Sequence, residues 1–324
     1  MTRLNMQSNH PDISSDTHDG RPPIVSVIIP TYNRLALLRE AVDSVRAQTF
    51  ADWELIIADD GSTDETRPYL ERLALEDVRI RPLFLNHAGS MTVMRTEAIR
   101  VMRGEWIALL DSDDLWAPRK LEVQLGQLGA HPECGWSYTG YHHIDRAGMP
   151  VTGRGAALQE PVSGWIAEQL VMFAVAAAPP TLMMRRSLFE EAGGFDQSLH
   201  VRSDYDLMLR LAVKSEACGV TADLMLAREH DGRTSDAFPV IGHVTENESM
   251  FQKARANAPN ARIRRLCAEQ SAAQRLHLAA LHGQEGRHSA ALRSIMIAIW
   301  RAPHQRGIWR GALRQVAREI GLRA

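Results

Sequence analysis

The sequence predicts an α/β fold: a mostly parallel central sheet flanked by helices, followed by a helical C-terminal extension. Three observations carry this expectation. From residue 24 to about residue 110, short apolar runs alternate with segments of helical periodicity, the pattern of successive β–α units that feed parallel strands. The runs are apolar nearly without a break, as strands covered on both faces must be. Beyond about Asp236 strand signals stop, and Arg-rich helical patterns take over.

Each element has its own justification. Residues 1–23 read as a flexible leader ending in Pro22-Pro23. Ile24–Pro30 is a buried strand, and Leu35 to Ala47 sets Leu38, Ala41, Val42 and Val45 at helical spacing. Trp53–Ala58 is a second strand. Ser62 with Glu65 makes a capping-box pattern for a helix running to about Glu76. Val78–Leu85 reads as a strand, Met91–Met102 as a helix and Trp106–Leu110 as a fourth strand. Further on, Gly135–Tyr141, Thr181–Arg185 and Val220–Ala227 read as strands, and Asp204 to Lys214 as a helix. The expected division is a leader over 1–23, an α/β domain over 24–235 and a helical region over 236–324, with a helical hairpin between Leu276 and Pro303. No fixed-period repeat is visible.

Composition narrows the function. Of 324 residues, 45% are hydrophobic and 23% charged, and the formal net charge is −2, which suits a globular chain and argues against a nucleic-acid binder with a strong basic footprint. Cys134, Cys218 and Cys267 lie far apart, so neither a disulfide framework nor a zinc knuckle is expected. Met1 to Gly20 lacks the basic start and apolar stretch of a signal peptide. The most apolar stretch, Leu170 to Met184, is interrupted by Pro179-Pro180 and too short to span a bilayer. A cytoplasmic protein is the expectation.

In an open parallel sheet, ligands bind beyond the carboxyl ends of the strands. Here three strands end in polar clusters: Pro30-Thr31-Tyr32-Asn33-Arg34, Asp59-Asp60-Gly61-Ser62 and Asp111-Ser112-Asp113-Asp114. Parallel strands would carry all three to one crevice. Acids gathered there repel one another unless a hard divalent cation, completed by substrate phosphate oxygens, neutralises them. Mg²⁺ or Mn²⁺ is the expected cofactor. Such a site suits a donor that departs as a diphosphate. Of the alternate residues Asp111 and Asp113, one can face the ligand while the other supports it through water or the ribose.

The runs Val25-Ser26-Val27-Ile28-Ile29-Pro30-Thr31-Tyr32-Asn33-Arg34, Ala58-Asp59-Asp60-Gly61-Ser62-Thr63-Asp64 and Leu110-Asp111-Ser112-Asp113-Asp114 resemble family 2 glycosyltransferases, which have the GT-A fold. The resemblance covers roughly residues 24–230. Arg185-Arg186-Ser187-Leu188-Phe189 and Gly193-Gly194-Phe195-Asp196 are similar to the family's acceptor-side segment. It implies that Pro30, Thr31, Tyr32 and Arg34 line the nucleotide, with Thr31 and Tyr32 at the base and ribose, and that Asp60 hydrogen-bonds the base. It also implies that Arg95 helps hold the nucleotide. Asp111 and Asp113 correspond to the DxD pair, with Asp113 the direct metal ligand, and His230 falls near the diphosphate or metal. Asp204 matches the catalytic base. The chain departs from the family at Ser203, where an acid is usual, and at Thr96, where Asn is common. The first departure leaves Asp206 open as an alternative to Asp204.

The expected reaction is an inverting, metal-dependent, non-processive transfer of a sugar from a nucleotide diphosphate donor, UDP-linked as the leading expectation. The acceptor would be a hydroxyl on a saccharide, a lipid-linked molecule or another partner. The QxxRW motif of processive synthases is absent. Rival readings are a catalytically silent nucleotide-sugar-binding module and a nucleotidyltransferase; the latter usually carries an early glycine-rich basic loop, which Pro30–Arg34 is not. Trp116 and Trp136 suit either a sugar pocket or the core, and His87, His142 and His143 have no evident partner. On a helix from Gly307 to Gly321, Trp309, Leu313, Val316 and Ile320 form a stripe flanked by Arg310, Arg314 and Arg318. Such a helix either touches an anionic membrane surface or packs its stripe on the catalytic domain with the arginines in water.

Overall fold

A computed structural model describes residues 21–151, 160–230 and 238–319. The leader, except for Arg21–Pro23, lies outside these residues, as do the boundary expected at 235 and Ile320 of the C-terminal stripe.

The strands are β1 (Val25–Thr31), β2 (Trp53–Asp59), β3 (Ile80–Phe84), β4 (Trp106–Leu109), β5 (Leu115–Trp116), β6 (Cys134–Ile144), β7 (Met183–Arg185) and β8 (Glu216–Arg228). The helices of the α/β region are α1 (Leu35–Arg46), α2 (Thr66–Glu76), α3 (Met91–Arg100), α4 (Lys120–Ala130), α5 (Ala167–Val171), α6 (Arg186–Glu191) and α7 (Ser203–Ala212). The tail adds α8 (Val240–Ala256), α9 (Ala261–Gln284), α10 (His288–Arg301) and α11 (Arg306–Glu319). The eight strands form one sheet in the order β3-β2-β1-β4-β7-β6-β8-β5. β3, β2, β1 and β4 pair in parallel, β7 runs antiparallel between β4 and β6, and β6 pairs in parallel with β8. The mostly parallel sheet expected from the sequence is therefore present, with β7 and the two-residue β5 as reversed strands.

Alternate residues of each central strand enter different cores, as a two-residue period requires. Ile28, Ile56 and Leu109 pack on one face with Trp136, Met184 and Leu207. Val27, Ile29, Leu55, Ile57 and Ala108 pack on the other with Leu38, Val42 and Leu70. Each fully buried aliphatic side chain contributes about 1.5–3 kcal/mol, so the strand runs that the sequence marks are also the main source of stability. The first core continues past residue 236 through Met250, Phe251, Ile263 and Cys267, so α8 and the start of α9 are packed onto the α/β layer.

Three details correct or settle the expectations. The Ser62–Glu65 capping box does not form: α2 begins at Thr66, and the Ser62 hydroxyl donates to Asp59 instead. Trp116 and Trp136 are both core residues. The Trp116 indole N–H donates to the Pro180 carbonyl at 2.8 Å, and the Lys120 ammonium sits 4.1 Å from its ring centre. Burial with no acidic partner pushes the Lys120 ammonium well below its ordinary pKa. Finally, α11 buries Ile308 and Ala312 against α9 and α10, while Trp309 and Leu313 of the expected stripe stay exposed. Close helix packing selects the small Ala312 over its larger neighbours.

Candidate active site

Three strand ends meet at one rim of the sheet. Thr31 at the end of β1 is paired with Asp59 of β2, and β4 lies on the other side of β1 with Leu109 opposite Ile28. Beyond β1 the chain turns through Asn33, whose φ of 50° is left-handed and better tolerated by Asn than by most residues. The Asn33 side-chain oxygen accepts from Thr63 N at 2.7 Å, and its own N–H donates to Ser62 Oγ at 2.8 Å. Arg34 Nη1 donates to Asp113 Oδ2 at 2.7 Å. The first loop is thereby tied to both others, and the three polar clusters come together.

On the β2 side, the half-exposed Tyr32 stacks on His87, with ring centres 4.4 Å apart. The His87 Nδ1 lies 3.0 Å from the Asp60 carbonyl oxygen. Asp60 is fully buried, and its carboxylate accepts from Ala88 N and Gly89 N at 2.8 Å each. Asp60 thus builds the loop that presents His87. Thr31 is buried and its hydroxyl has no partner among the described residues, and Pro30 sits within β1 opposite Ala58.

On the β4 side, Asp111, Asp113 and Asp114 bring carboxylate oxygens within 4.8 Å of one another. Burial raises the Asp111 pKa; Arg95 opposes that rise, while Asp113 and Asp204 add to it. His230 Nε2 lies 2.9 Å from Asp113 Oδ2, so Arg34 and His230 both engage that oxygen. Three clustered hard oxygen donors, partly open to solvent, fit a divalent cation such as Mg²⁺ or Mn²⁺.

Arg95 joins this cluster to the fourth acid. Its side chain is only 3% exposed, and its two terminal nitrogens donate at 2.5 Å to Asp111 and to Asp204. Burial alone would lower the guanidinium pKa, but Asp204 and Asp111 overcome it and raise the value. Asp204 reaches the rim because α3 and α7 are locked together: Thr92 Oγ1 donates to Ser203 Oγ at 2.8 Å, and Ser203 Oγ lies 3.4 Å from Asp204 Oδ1. Thr96 turns its hydroxyl back to the Thr92 carbonyl at 2.7 Å. Asp206, two residues on, is buried against Arg210 at 2.7 Å. Of the two acids left open by the sequence, only Asp204 joins the acidic rim.

Three participants were given no role in the sequence reading. His87 supports Tyr32, and Asp114 is the third acid of the cluster. Arg228, buried at the end of β8, donates to the Asp113 and Arg146 carbonyls at 3.3 and 2.7 Å and pairs with Glu40. Its backbone N–H also donates to Asp114 Oδ1 at 2.9 Å, so the end of β8 holds the acidic loop in place. A lone Arg at a strand end and a lone His before Ala-Gly carry no pattern. Asp114, by contrast, was visible in the acidic run. His142 and His143 lie 3.8 Å from Asp223 and 3.4 Å from Glu229, away from the four acids.

The family model "Glycosyl transferase family 2" matches residues 26–191. A putative teichuronic acid biosynthesis glycosyltransferase, TuaG of Bacillus subtilis, is 40% identical over 129 residues, covering 40% of this chain and 51% of TuaG. WfgD of Escherichia coli, described as a UDP-Glc:alpha-D-GlcNAc-diphosphoundecaprenol beta-1,3-glucosyltransferase, is 39% identical over 105 residues, 32% of this chain and 41% of WfgD. The matches thus span about half or less of these relatives' length. Residues 1–349 of Staphylococcus aureus TarS, solved with UDP-GlcNAc, share the fold at a TM-score of 0.65 and 16% identity, with 92% of each chain covered. Among the described residues no helix is long and apolar enough to cross a membrane.

Proposed function

The chain belongs to glycosyltransferase family 2, and from that premise we propose that it transfers a sugar from a nucleotide diphosphate donor to a hydroxyl acceptor, with inversion and without processive extension. One observation carries the reading. Asp204 and the Asp111–Asp114 cluster, which come from distant parts of the chain, are joined through the single buried side chain of Arg95. A structural ion pair needs only one acid for that arginine. Two acids that share it beside a third and a fourth make a net-negative rim suited to a divalent cation, whose remaining positions a diphosphate can complete.

In this proposal Tyr32 receives the base, backed by His87, while Thr31 and Arg34 line the nucleotide beside it. Asp111 and Asp113, with Asp114 and His230 next to them, would hold Mg²⁺ or Mn²⁺, which offsets the charge growing on the departing diphosphate. Asp204 acts as general base. Arg95 holds Oδ1 and leaves Oδ2, which has no hydrogen-bond partner among the described residues, to take the acceptor's proton. The acceptor oxygen forms its bond to the anomeric carbon as the bond from that carbon to the phosphate oxygen breaks. The electron pair leaves with the nucleoside diphosphate. Attack from the face opposite the leaving group inverts the configuration.

A UDP-linked donor is favoured by the UDP-GlcNAc complex of the TarS fold relative and by the activity for which WfgD is named, and WfgD also favours a lipid-linked acceptor. The test is nucleoside diphosphate release from a panel of UDP- and GDP-sugars, with Mn²⁺ and with hydroxyl acceptors that include a diphosphate-linked polyprenol sugar. At least one donor should turn over, and chelation should stop it. A chain that releases no nucleotide from any donor, yet gains thermal stability with one, would be a silent binder.

A further inference from the structure

We propose that the C-terminal helices form a docking surface for an anionic phospholipid bilayer, with a basic cavity at the α10–α11 turn that seats a phosphate headgroup. The inference does not rest on the transfer reaction, because none of its residues lies at the acidic rim. The first observation is charge. Although the whole chain carries a formal −2, residues 240–319 hold 13 Lys and Arg against 5 Asp and Glu. An excess of this sign confined to one end is the electrostatic footprint of an anionic surface.

The second observation is a cavity of about 410 Å³ between the end of α8, the start of α9 and the α10–α11 turn. Arg255, Arg264, Arg265, Arg301 and His304 line it, with Glu269 the acid among them. Glu269 is taken by Arg265 at 2.9 Å, and Arg301 turns to Glu248 while its Nε stays buried without a partner. Arg255 and Arg264 have no acidic partner among the described residues, so their charge is available to an incoming phosphate. Guanidinium groups match phosphate oxygens in pairs.

The third observation is a set of exposed apolar side chains on α10 and α11. Trp309 is 44% exposed and donates its indole N–H to the carbonyl of Pro303, a lining residue, at 2.7 Å. Trp300, next to Arg301, is 76% exposed, and Met296 and Leu292 extend it as an exposed stripe at four-residue spacing along α10. Leu313, one turn beyond Trp309, is 66% exposed. Exposed tryptophans on basic helices are what a membrane–water interface selects, because the ring enters the headgroup layer while cations meet the phosphates. A nucleic-acid backbone would also satisfy the arginines, but it offers nothing to Leu292, Met296 and Leu313. These exposed apolar side chains therefore favour lipid.

The test uses the full chain in co-sedimentation with vesicles of phosphatidylcholine alone and of phosphatidylcholine mixed with phosphatidylglycerol. Binding is expected only with phosphatidylglycerol and should weaken as salt rises. Each arginine near such a surface is worth roughly fivefold in binding. The exposed-site variant Arg264→Glu, and Arg255→Glu with Arg264→Glu, should therefore lower binding by about tenfold or more. Trp300→Ser, at a position that touches little, should also weaken it with no change in melting temperature. Failure to bind phosphatidylglycerol vesicles, or equal binding by Arg264→Glu and Trp300→Ser, would overturn the proposal. So would glycerol phosphate in solution binding as tightly as the vesicles, or single-stranded RNA competing them off through the same residues.

Discussion

Arg95 Nη1 donates to Asp204 Oδ1 at 2.5 Å while Nη2 of the same group donates to Asp111 at 2.5 Å. The acid proposed to take a proton and an acid proposed to face the donor are therefore held by one rigid fork. Their spacing does not depend on two flexible side chains finding one another. Replacing Asp204 with Asn keeps the shape and an oxygen for Arg95 but removes the base. Transfer should fall by about 10²–10⁴-fold, while the donor-induced rise in melting temperature persists. The check is nucleotide release beside a thermal-shift titration. Near-normal transfer by the variant would remove Asp204 from the base role.

Arg95 itself should be far less tolerant. With Arg95→Ala, Asp111 and Asp204 face each other across a buried gap without their cation. Breaking a buried pair in this way costs about 3–5 kcal/mol. Chemical denaturation should show a loss of that order. Mn²⁺ should then stabilise the variant more than the parent, because the ion would replace the missing charge. Equal Mn²⁺ stabilisation of the two would argue that the cation binds away from Asp111.

The sheet and its rim were legible in the sequence because they depend on local pattern. The runs at Val25–Thr31, Trp53–Asp59 and Trp106–Leu109 are apolar end to end, and the acids follow directly on them. What escaped depends on contacts between distant segments. Ser62 has the right neighbour for a helix cap, yet Asp59 and Asn33 capture its hydroxyl first. His87 matters only because Tyr32 folds onto it, and Arg228 only because the Asp113 loop lies above it. The α11 stripe was legible as amphipathic, but its packing was not: Val316 meets the core while Trp309 and Leu313 stay exposed. Large residues drew attention, whereas the buried contact uses Ile308 and Ala312.

If Tyr32 receives the base as proposed, its stack on His87 gives a way to separate donor binding from chemistry. Aromatic pairs of this kind are worth about 0.5–1.5 kcal/mol. His87→Ala should therefore raise the KM for donor several-fold and leave kcat nearly unchanged, because the ring lies on the nucleotide side of the rim, away from Asp204. Steady-state kinetics with a saturating acceptor would show the split. A fall in kcat with KM unchanged would place His87 in the chemical step instead.

Glu54 offers a pH test that leaves the acidic rim untouched. It is buried in β2 beneath the sheet and accepts from Ser26 Oγ at 2.6 Å, Arg103 N at 2.6 Å and Arg81 Nη1 at 2.6 Å. Burial alone would raise its pKa, but the Ser26, Arg103 and Arg81 contacts together lower it below the ordinary glutamate value. A depressed folded-state pKa means that the unfolded chain takes up the proton first as pH falls. The stability Glu54 contributes is therefore complete above its unfolded pKa, and it is lost as pH drops from there through the lower folded value. Glu54→Gln cannot titrate. At neutral pH it should be destabilised by a few kcal/mol, about the 3–5 kcal/mol that losing one partner of a buried pair costs. Below the usual carboxylate range the difference from the parent should shrink. Urea unfolding of both chains from pH 7 into that acid range measures it. A gap that stayed constant with pH would show that Glu54 acts through its packing and hydrogen bonds, with no contribution from its charge.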